Sequence, residues 1–300
     1  MTLGSASRIA YRPRASPLHA ARPTIAAAYG LAIALAALIV EHPLLLTALL
    51  IAVLLAAFGA GVGRDLLRAA RVSAVPIVLL SVLVNVLVNR QGLTVFARLG
   101  DWGVLGQVNL TLEALVYGLV FGLRLLVVTL ACLLVVCAAD PDQLLVACRR
   151  VSPHSALTAA LATRLLPVLS ADARRLAEAQ RCRPDGGARG ARGRLAILRA
   201  TVSGALERSL DVAAVLEMRG YGSRRRVARE RRPRSRHDLA FAFAAFALLA
   251  IAVLAQLSGD APFDAYPLVH APFSPAAFLL AGLFILVAAL PFLDRRGIER

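Results

Sequence analysis

The chain has 300 residues, of which 59% are hydrophobic, and its mean hydropathy is +0.70. A soluble domain with one core does not need so much apolar sequence, so the composition indicates an integral membrane protein. A formal charge of +16 would suggest nucleic-acid binding in a soluble protein, but here the basic residues cluster between the apolar runs. That placement is first a topology signal, and no nucleic-acid partner is expected.

The four cysteines follow neither the spacing of metal ligands nor a disulfide pattern. No phosphate-binding loop of the GxxxxGK[ST] type occurs, and no HExxH, GxSxG or paired-carboxylate site stands out. The sequence therefore predicts no enzyme activity, no cofactor and no metal site. Any ATP hydrolysis is expected to belong to partner subunits.

Six apolar segments approach or exceed the roughly 20 residues that a helix needs to cross a bilayer core about 30 Å thick. They are residues 24–40, 43–62, 72–88, 114–139, 239–257 and 276–293. Pro76 and Pro291 are predicted to kink their helices, because each lacks a backbone donor. The predicted fold class is an all-α integral membrane protein with about six transmembrane helices and a cytoplasmic helical coupling domain between spans 4 and 5.

The distribution of arginine orients these spans. With the N-terminus inside, the arginines of the predicted loop 63–71 and of the long central region face the cytoplasm, and Arg90 and Arg98, in an outer loop, are the exceptions. The predicted organisation, with both termini cytoplasmic, is a tail (1–23), helices 1–4 (24–139), a coupling-helix region with a basic tether (140–237), helices 5–6 (238–293) and a second tail (294–300).

The central region is predicted to contain three helices. A short one follows an acidic cap and proline at Asp140-Pro141-Asp142 and covers 143–150. The second covers 155–183 with a bend at Pro167, residues 190–193 are flexible, and the third covers 194–219 and stops at Gly220. The basic run 224–236 is interpreted as a flank of the fifth span, with an anchor for nucleic acid or anionic lipid as a third-ranked alternative.

Several short motifs occur in one order between residues 16 and 222. They are Ser16-Pro17-Leu18-His19, Asn85 with Gly92-Leu93-Thr94-Val95, Leu110-Thr111-Leu112-Glu113-Ala114, Gly122-Leu123-Arg124-Leu125, Arg164-Leu165-Leu166-Pro167 with Glu178-Ala179-Gln180-Arg181, and Met218-Arg219-Gly220-Tyr221. This ordered set resembles the transmembrane (T) subunit of energy-coupling factor transporters, the EcfT/CbiQ-like family.

The resemblance implies a scaffold in the plasma membrane of a prokaryote. Its implied partners are two ATP-binding cassette (ABC) type ATPase subunits, a small substrate-binding membrane (S) subunit and the lipid bilayer. The complex would import a vitamin or a transition-metal ion. The T subunit would transmit ATPase movements to the S subunit.

In that family two Ala-Arg-Gly-like motifs end two coupling helices, and each arginine inserts into a groove on one ATPase. The resemblance places the second motif at Met218, Arg219 and Gly220, with Met in place of Ala. It places the first at Arg183, whose neighbours differ from the family pattern, and Arg181 is a candidate to share that role.

Arg124 falls about ten residues into the fourth span, where a charge costs at least about 3 kcal/mol. It is expected to have a partner, with Asn85, Asn89 or a carbonyl freed by Pro76 as candidates. Arg124 and Asn85 are thus candidates for intramembrane packing or gating, with a purely structural arginine as the alternative.

A secondary carrier or channel is the rival function, in which the basic cytoplasmic region is only topological. Inverted repeats with broken helices would support a carrier, and no such symmetry is visible in the sequence.

Overall fold

The computed structural model describes residues 14–88, 94–101, 107–141, 143–144, 153–182, 190–220, 235–258 and 274–294. Its helices, in chain order, are α1 (Pro17–Ala20), α2 (Pro23–Ile39), α3 (Pro43–Gly59), α4 (Gly63–Val88), α5 (Leu112–Ala138), α6 (Pro153–Arg181), α7 (Gly190–Met218), α8 (Arg236–Ser258) and α9 (Pro275–Ala289), followed by a 3-10 turn (Leu290–Phe292). Two antiparallel strands, β1 (Val95–Asp101) and β2 (Gln107–Thr111), join α4 to α5. The chain divides into two units, 1–144 with 234–300 and 145–233. We call the first the membrane unit and the second, after the predicted coupling helices, the coupling unit.

Helices α2, α3, α5, α8 and α9 share the core of the membrane unit. Proline at the first position starts α2, α3 and α9, where its missing donor costs nothing. The buried faces are rich in alanine, which lets helix backbones approach closely in the absence of a hydrophobic driving force between membrane helices. Buried members include Ala32, Ala36, Ala37, Ala48, Ala52, Ala56, Ala57, Ala244, Ala252 and Ala288.

Larger side chains fill the centre of this core. Tyr29 of α2 is fully buried and donates from its hydroxyl to the carbonyl of Ala288 in α9 at 2.8 Å. Its ring makes edge-to-face contacts with Phe241 and Phe292 at centroid distances of 5.2 and 6.2 Å. The hydroxyl therefore has the partner that a buried tyrosine requires.

Helices α4 and α5 form a long antiparallel hairpin. Gly118 of α5 lies against the backbone of α4, since a Cβ there would be 2.8 Å from the Cα of Val82. Ser81 donates from its hydroxyl to the carbonyl of Gly118 at 2.9 Å, and this bond is buried. Small residues thus set the spacing of the hairpin.

Helices α2 and α5 also run antiparallel. Gly30 in α2 lies against Val135 near the end of α5, and Arg124 in the middle of α5 donates a hydrogen bond to the carbonyl of Val40 at the end of α2. Residues 112–123 of α5 therefore continue about 18 Å past the end of α2, at 1.5 Å per residue.

The predicted fold class, an all-α membrane protein, is confirmed. In the part of the chain that the structure describes, four helices are long and apolar enough to cross a membrane, namely α4, α5, α8 and α9 with its 3-10 turn. Helices α2 and α3 are equally apolar but have only 17 residues each. All six predicted spans correspond to helices of the membrane unit.

The structure corrects three details of the sequence analysis. Residues 63–71 are the first turns of α4 rather than a separate loop, because Asp65 and the arginines there sit on one continuous helix. Pro291 lies in the 3-10 turn that follows α9, so it ends that helix rather than kinking it. The strand pair between α4 and α5 was not predicted.

Within the coupling unit, the second and third predicted helices correspond to α6 and α7. The prediction of a flexible stretch at 190–193 was wrong, because α7 begins at Gly190, whose φ is +74°. The predicted short helix at 143–150 and the tether at 224–236 lie almost wholly outside the described residues.

Candidate functional site: the ends of the coupling helices

The C-terminal end of α7 presents the second predicted motif to solvent. Met218 is the last helical residue and is 79% exposed, and Arg219 follows it in an exposed position. The amide of Arg219 donates to the carbonyl of Val215 at 3.0 Å, and the amide of Gly220 donates to the carbonyl of Glu217 at 2.8 Å. Both bonds satisfy carbonyls that a helix end leaves open.

Gly220 has a φ of +72°, the left-handed conformation that glycine adopts without steric cost. The backbone therefore turns away directly after Arg219. Since Arg219 lies at the negative end of the α7 dipole, its position also favours a positive charge. The arginine is left at the tip of the helix, with no side chain following it at the turn.

Only part of the first predicted motif lies within the described residues. Arg181 is the last residue of α6 and is exposed, and the amide of Cys182 continues the helical bonding to Glu178 at 3.1 Å. Arg183 lies outside the described residues. Arg181 is thus placed at the end of its helix much as Arg219 is placed at the end of α7.

One ion pair links α6 to α7. Both terminal nitrogens of Arg208 lie 3.2 Å from the same carboxylate oxygen of Asp172. The Arg208 side chain is 39% exposed, so solvent screens the interaction and its contribution to stability is small, below about 1 kcal/mol. The pair marks the faces of α6 and α7 that meet.

A stripe of exposed apolar residues runs along α7, and the sequence analysis did not identify it. The spacing of three or four residues places its members on one helical face. They are Leu195, Leu198, Val202, Leu206 and Leu210, with exposed fractions from 49% to 70%. The spacing of these residues is visible in the sequence, but it is also typical of a helix face that packs in a core. Spacing alone therefore does not show that the face is exposed.

Arg124 has a partner, as predicted, but among the described residues it is not one of the proposed candidates. Its terminal nitrogen donates to the carbonyl of Val40 at 3.0 Å. Val40 follows the last residue of α2, and the last carbonyls of a helix have no hydrogen-bond partner within that helix. Val40 is also buried, with 2% of its surface exposed. Among the described residues, the Nε of Arg124 is buried without a hydrogen-bond partner.

Asn85 is not brought to Arg124. Its side-chain amide donates to the carbonyl of Ser81 in its own helix at 2.9 Å. It lies against α5 at Gly118, where an added Cβ would be 3.3 Å from the Cβ of Asn85. Asn85 therefore contributes to the packing of α4 on α5, and Asn89 lies outside the described residues.

Within the described ranges, no group of three or more His, Cys, Asp or Glu side chains is arranged to hold a metal ion. The exposed side chains at the ends of α6 and α7 and along the α7 stripe can offer arginine and apolar contacts. Arginine binds carboxylates and carbonyls with a planar, multiply donating group, which fixes orientation better than a lysine does.

Comparison with known proteins identifies the family of the chain. The profile of a family described as CbiQ, cobalt transport protein, matches residues 14–228, more than two thirds of the chain. The matched part includes α2 to α5, both coupling helices and the Met218-Arg219-Gly220 motif. No curated protein matches the chain. Since the profile covers most of the chain, the protein belongs to the CbiQ cobalt transport family and is a membrane component of a transport system.

Proposed function

We propose that this protein is the scaffold and coupling subunit of an energy-coupling factor type importer. In this proposal, two ABC-type ATPase subunits bind the ends of α6 and α7, and their closure on ATP moves the coupling unit. The observation that carries the proposal is the end of α7, where Arg219 is exposed at a helix tip and Gly220 turns the chain away at φ +72°.

The geometry of that tip suits insertion into a groove. An exposed guanidinium beyond the last turn of a long helix can reach acceptors on another protein without moving its own backbone. A helix also transmits a displacement along its axis, since its backbone is hydrogen-bonded throughout. Met218, 79% exposed beside Arg219, would add an adaptable apolar contact to the same groove.

For the first ATPase contact, the proposal assigns Arg181 and Arg183 together. Arg181 is exposed at the end of α6, and Arg183 is two residues further along the chain. Comparing the variants Arg181→Glu and Arg183→Glu would separate the two, because only the arginine that enters the groove would reduce ATPase binding on its own.

The apolar stripe of α7 supports a membrane partner for the coupling unit. Leucines that are 59% to 70% exposed along one helical face are unfavourable in water, and burial of such a face stabilises a complex. We propose that the small substrate-binding membrane (S) subunit covers this stripe. Cargo specificity would then reside in that subunit, for a vitamin or a transition-metal ion, with cobalt favoured by the family description.

The proposed location is the plasma membrane of a prokaryote, with both termini and the coupling unit in the cytoplasm. The concentration of arginine in the central region and its absence from residues 258–275 support this orientation.

The testing experiment is purification of the tagged chain in mild detergent with the ATPases and the S subunit coexpressed. Arg219→Glu is expected to reduce the bound ATPase at least tenfold, because a carboxylate would face acceptors that bind a guanidinium. Arg194→Glu is the matched control, since Arg194 is exposed on the same helix, away from the apolar stripe and far from the tip. Equal ATPase binding by wild type and Arg219→Glu, or a wild type that purifies alone, would favour the carrier or channel instead.

A further inference from the structure

Nine residues that precede the first membrane helix contact three separate parts of the membrane unit. We call residues 14–22 the N-terminal clasp. Leu18 and Ala21 anchor it in the core, with 1% and 5% of their surface exposed. Three polar contacts then join the clasp to the α3–α4 turn, to the end of α5 and to the start of α8.

The first contact holds the turn between α3 and α4. Arg14 donates from one terminal nitrogen to the carbonyl of Gly61, and its other terminal nitrogen lies 2.7 Å from a carboxylate oxygen of Asp65. Gly61 ends α3 in a left-handed conformation, φ +75°, and Asp65 lies in the first turn of α4. One arginine therefore binds both sides of the turn.

The second contact reaches the end of α5. Ser16 caps α1, and its hydroxyl lies 2.7 Å from the Nδ1 of His19. The His19 ring also interacts electrostatically with the backbone of Cys137, in the last turn of α5. This contact holds α5 close to the residue at which that helix ends.

The third contact reaches the start of α8. Asp238, 2% exposed, accepts the backbone amide of Arg22 at 2.7 Å on one oxygen. Its other oxygen accepts the amide of Ser235 at 3.0 Å and lies 3.2 Å from the Nε of Arg22. A buried carboxylate is tolerated because it is paired and hydrogen-bonded on both oxygens.

The second and third contacts lie close to the two covalent junctions of the coupling unit, and the first holds the clasp on the α3–α4 turn. The chain leaves the membrane unit after α5 and returns to it just before α8. We propose that the N-terminal clasp holds both junctions, so that movement of the coupling unit displaces the membrane helices instead of being absorbed where the units join. Arg14, Arg22, Asp65 and Asp238 are then positioning residues for coupling. This inference rests on the proposed function.

The test uses the complete transporter in proteoliposomes and measures cobalt uptake per ATP hydrolysed. Arg14→Asp and Asp65→Arg each place like charges together and are expected to lower this ratio at least fivefold. The double variant Arg14→Asp/Asp65→Arg re-forms an opposite pair and is expected to recover at least half of the ratio. Both side chains are partly exposed, 28% and 40%, so the exchange is tolerable. Arg68→Asp, an exposed charge reversal on α4, is the matched control.

ATPase binding and thermal stability of each variant are measured alongside uptake. The inference predicts that these stay near wild type while the uptake ratio falls. If the single variants keep the wild-type ratio, or if uptake, ATPase binding and stability all fall together without rescue by the double variant, the clasp has no coupling role.

A second measurement separates this inference from the proposed function. Hydrogen exchange of the purified chain alone should be faster at residues 138–140 and 235–238 in Arg14→Asp and in Asp238→Asn than in wild type. Unchanged exchange there contradicts the clasp even if ATPases bind. A wild-type chain that never binds an ATPase contradicts the proposed function, whatever the exchange at the junctions.

Discussion

Arg124 shows which properties of a single residue can be predicted from sequence and which cannot. The cost of a charge in an apolar helix is enough to predict that Arg124 has a partner. The identity of the partner was not predictable, because it is the carbonyl of Val40, 84 positions earlier in the chain. That carbonyl becomes available only because α2 ends there and packs antiparallel to α5.

Gly118 provides a prediction for the α4–α5 hairpin. In Gly118→Ala the new Cβ would lie 2.8 Å from the Cα of Val82, so α4 must move away from α5. We expect a loss of about 1–3 kcal/mol, typical of overpacking. Thermal unfolding in detergent measures it. Gly282→Ala is the control, since nothing lies within 4 Å of a Cβ at that position, and a similar loss in both variants would contradict the close contact at Gly118.

His19 provides a prediction for pH. Burial lowers the pKa of its imidazole, the nearby Arg14 lowers it further, and the interaction with the backbone of Cys137 acts in the opposite direction. The unfolded chain therefore binds a proton more readily than the folded one does. The stability that the neutral ring provides is present above its ordinary pKa of about 6.5 and is lost as the pH falls below it.

Acidification from pH 7.5 to pH 5.5 should lower the melting temperature of wild type more than that of His19→Gln. The glutamine cannot gain a proton in this range. The difference between the two slopes of melting temperature against pH therefore gives the contribution of the His19 imidazole. Parallel slopes would show that His19 does not titrate differently in the two states.

At the level of elements, the helices were predictable and their connections were not. Apolar runs bounded by proline located α2, α3 and α9 to within a few residues, because a proline both starts a helix and lacks the donor that a helix interior needs. Residues 63–71 were assigned to a loop because arginine there was taken as a topology signal. A helix can carry charges on its exposed turns, so polarity alone did not mark its beginning.

The candidate site also has one feature that could be predicted from sequence and one that could not. The turn at Gly220 could be predicted from sequence, since glycine after a helix commonly adopts a left-handed conformation. The exposure of the α7 stripe could not, because apolar spacing gives the face of a helix but not whether another element covers it.

Gly220→Ala tests the α7 terminus. At φ +72° a Cβ is strained by about 1–2 kcal/mol, so the last turn of α7 should fray. Hydrogen exchange of the amides of residues 219 and 220 should become faster. Gly204→Ala lies mid-helix in open space and should instead stabilise α7 by about 0.5–1 kcal/mol. Slower or equal exchange in Gly220→Ala would show that the left-handed turn is not needed there.

For the whole molecule, hydropathy and arginine placement alone predicted the order of the spans and the large region between the fourth and fifth of them, which are α5 and α8 in the structure. These are bulk properties of a membrane protein, and the bilayer imposes them on every chain that crosses it. The clasp was not predicted as a contact network, because its three contacts join residues that are far apart in sequence.

Orientation is tested by cysteine labelling of intact cells, in a background without the four native cysteines. Asp264→Cys, between α8 and α9, should react with a membrane-impermeant maleimide added outside, and Arg229→Cys should react only after the membrane is opened. Labelling of both positions from outside would contradict a cytoplasmic coupling region.

The short length of α2 and α3 has a consequence for the surrounding lipid. At 1.5 Å per residue, 17 residues span about 25 Å, whereas a typical hydrocarbon core is about 30 Å thick. The bilayer beside Val40 and Glu41 is therefore expected to thin, which brings the lipid headgroups towards the level of Arg124. Such mismatch costs a fraction of a kcal/mol per Å. Reconstitution should therefore favour lipids with short acyl chains, and bilayer thickness becomes a variable that tunes this transporter.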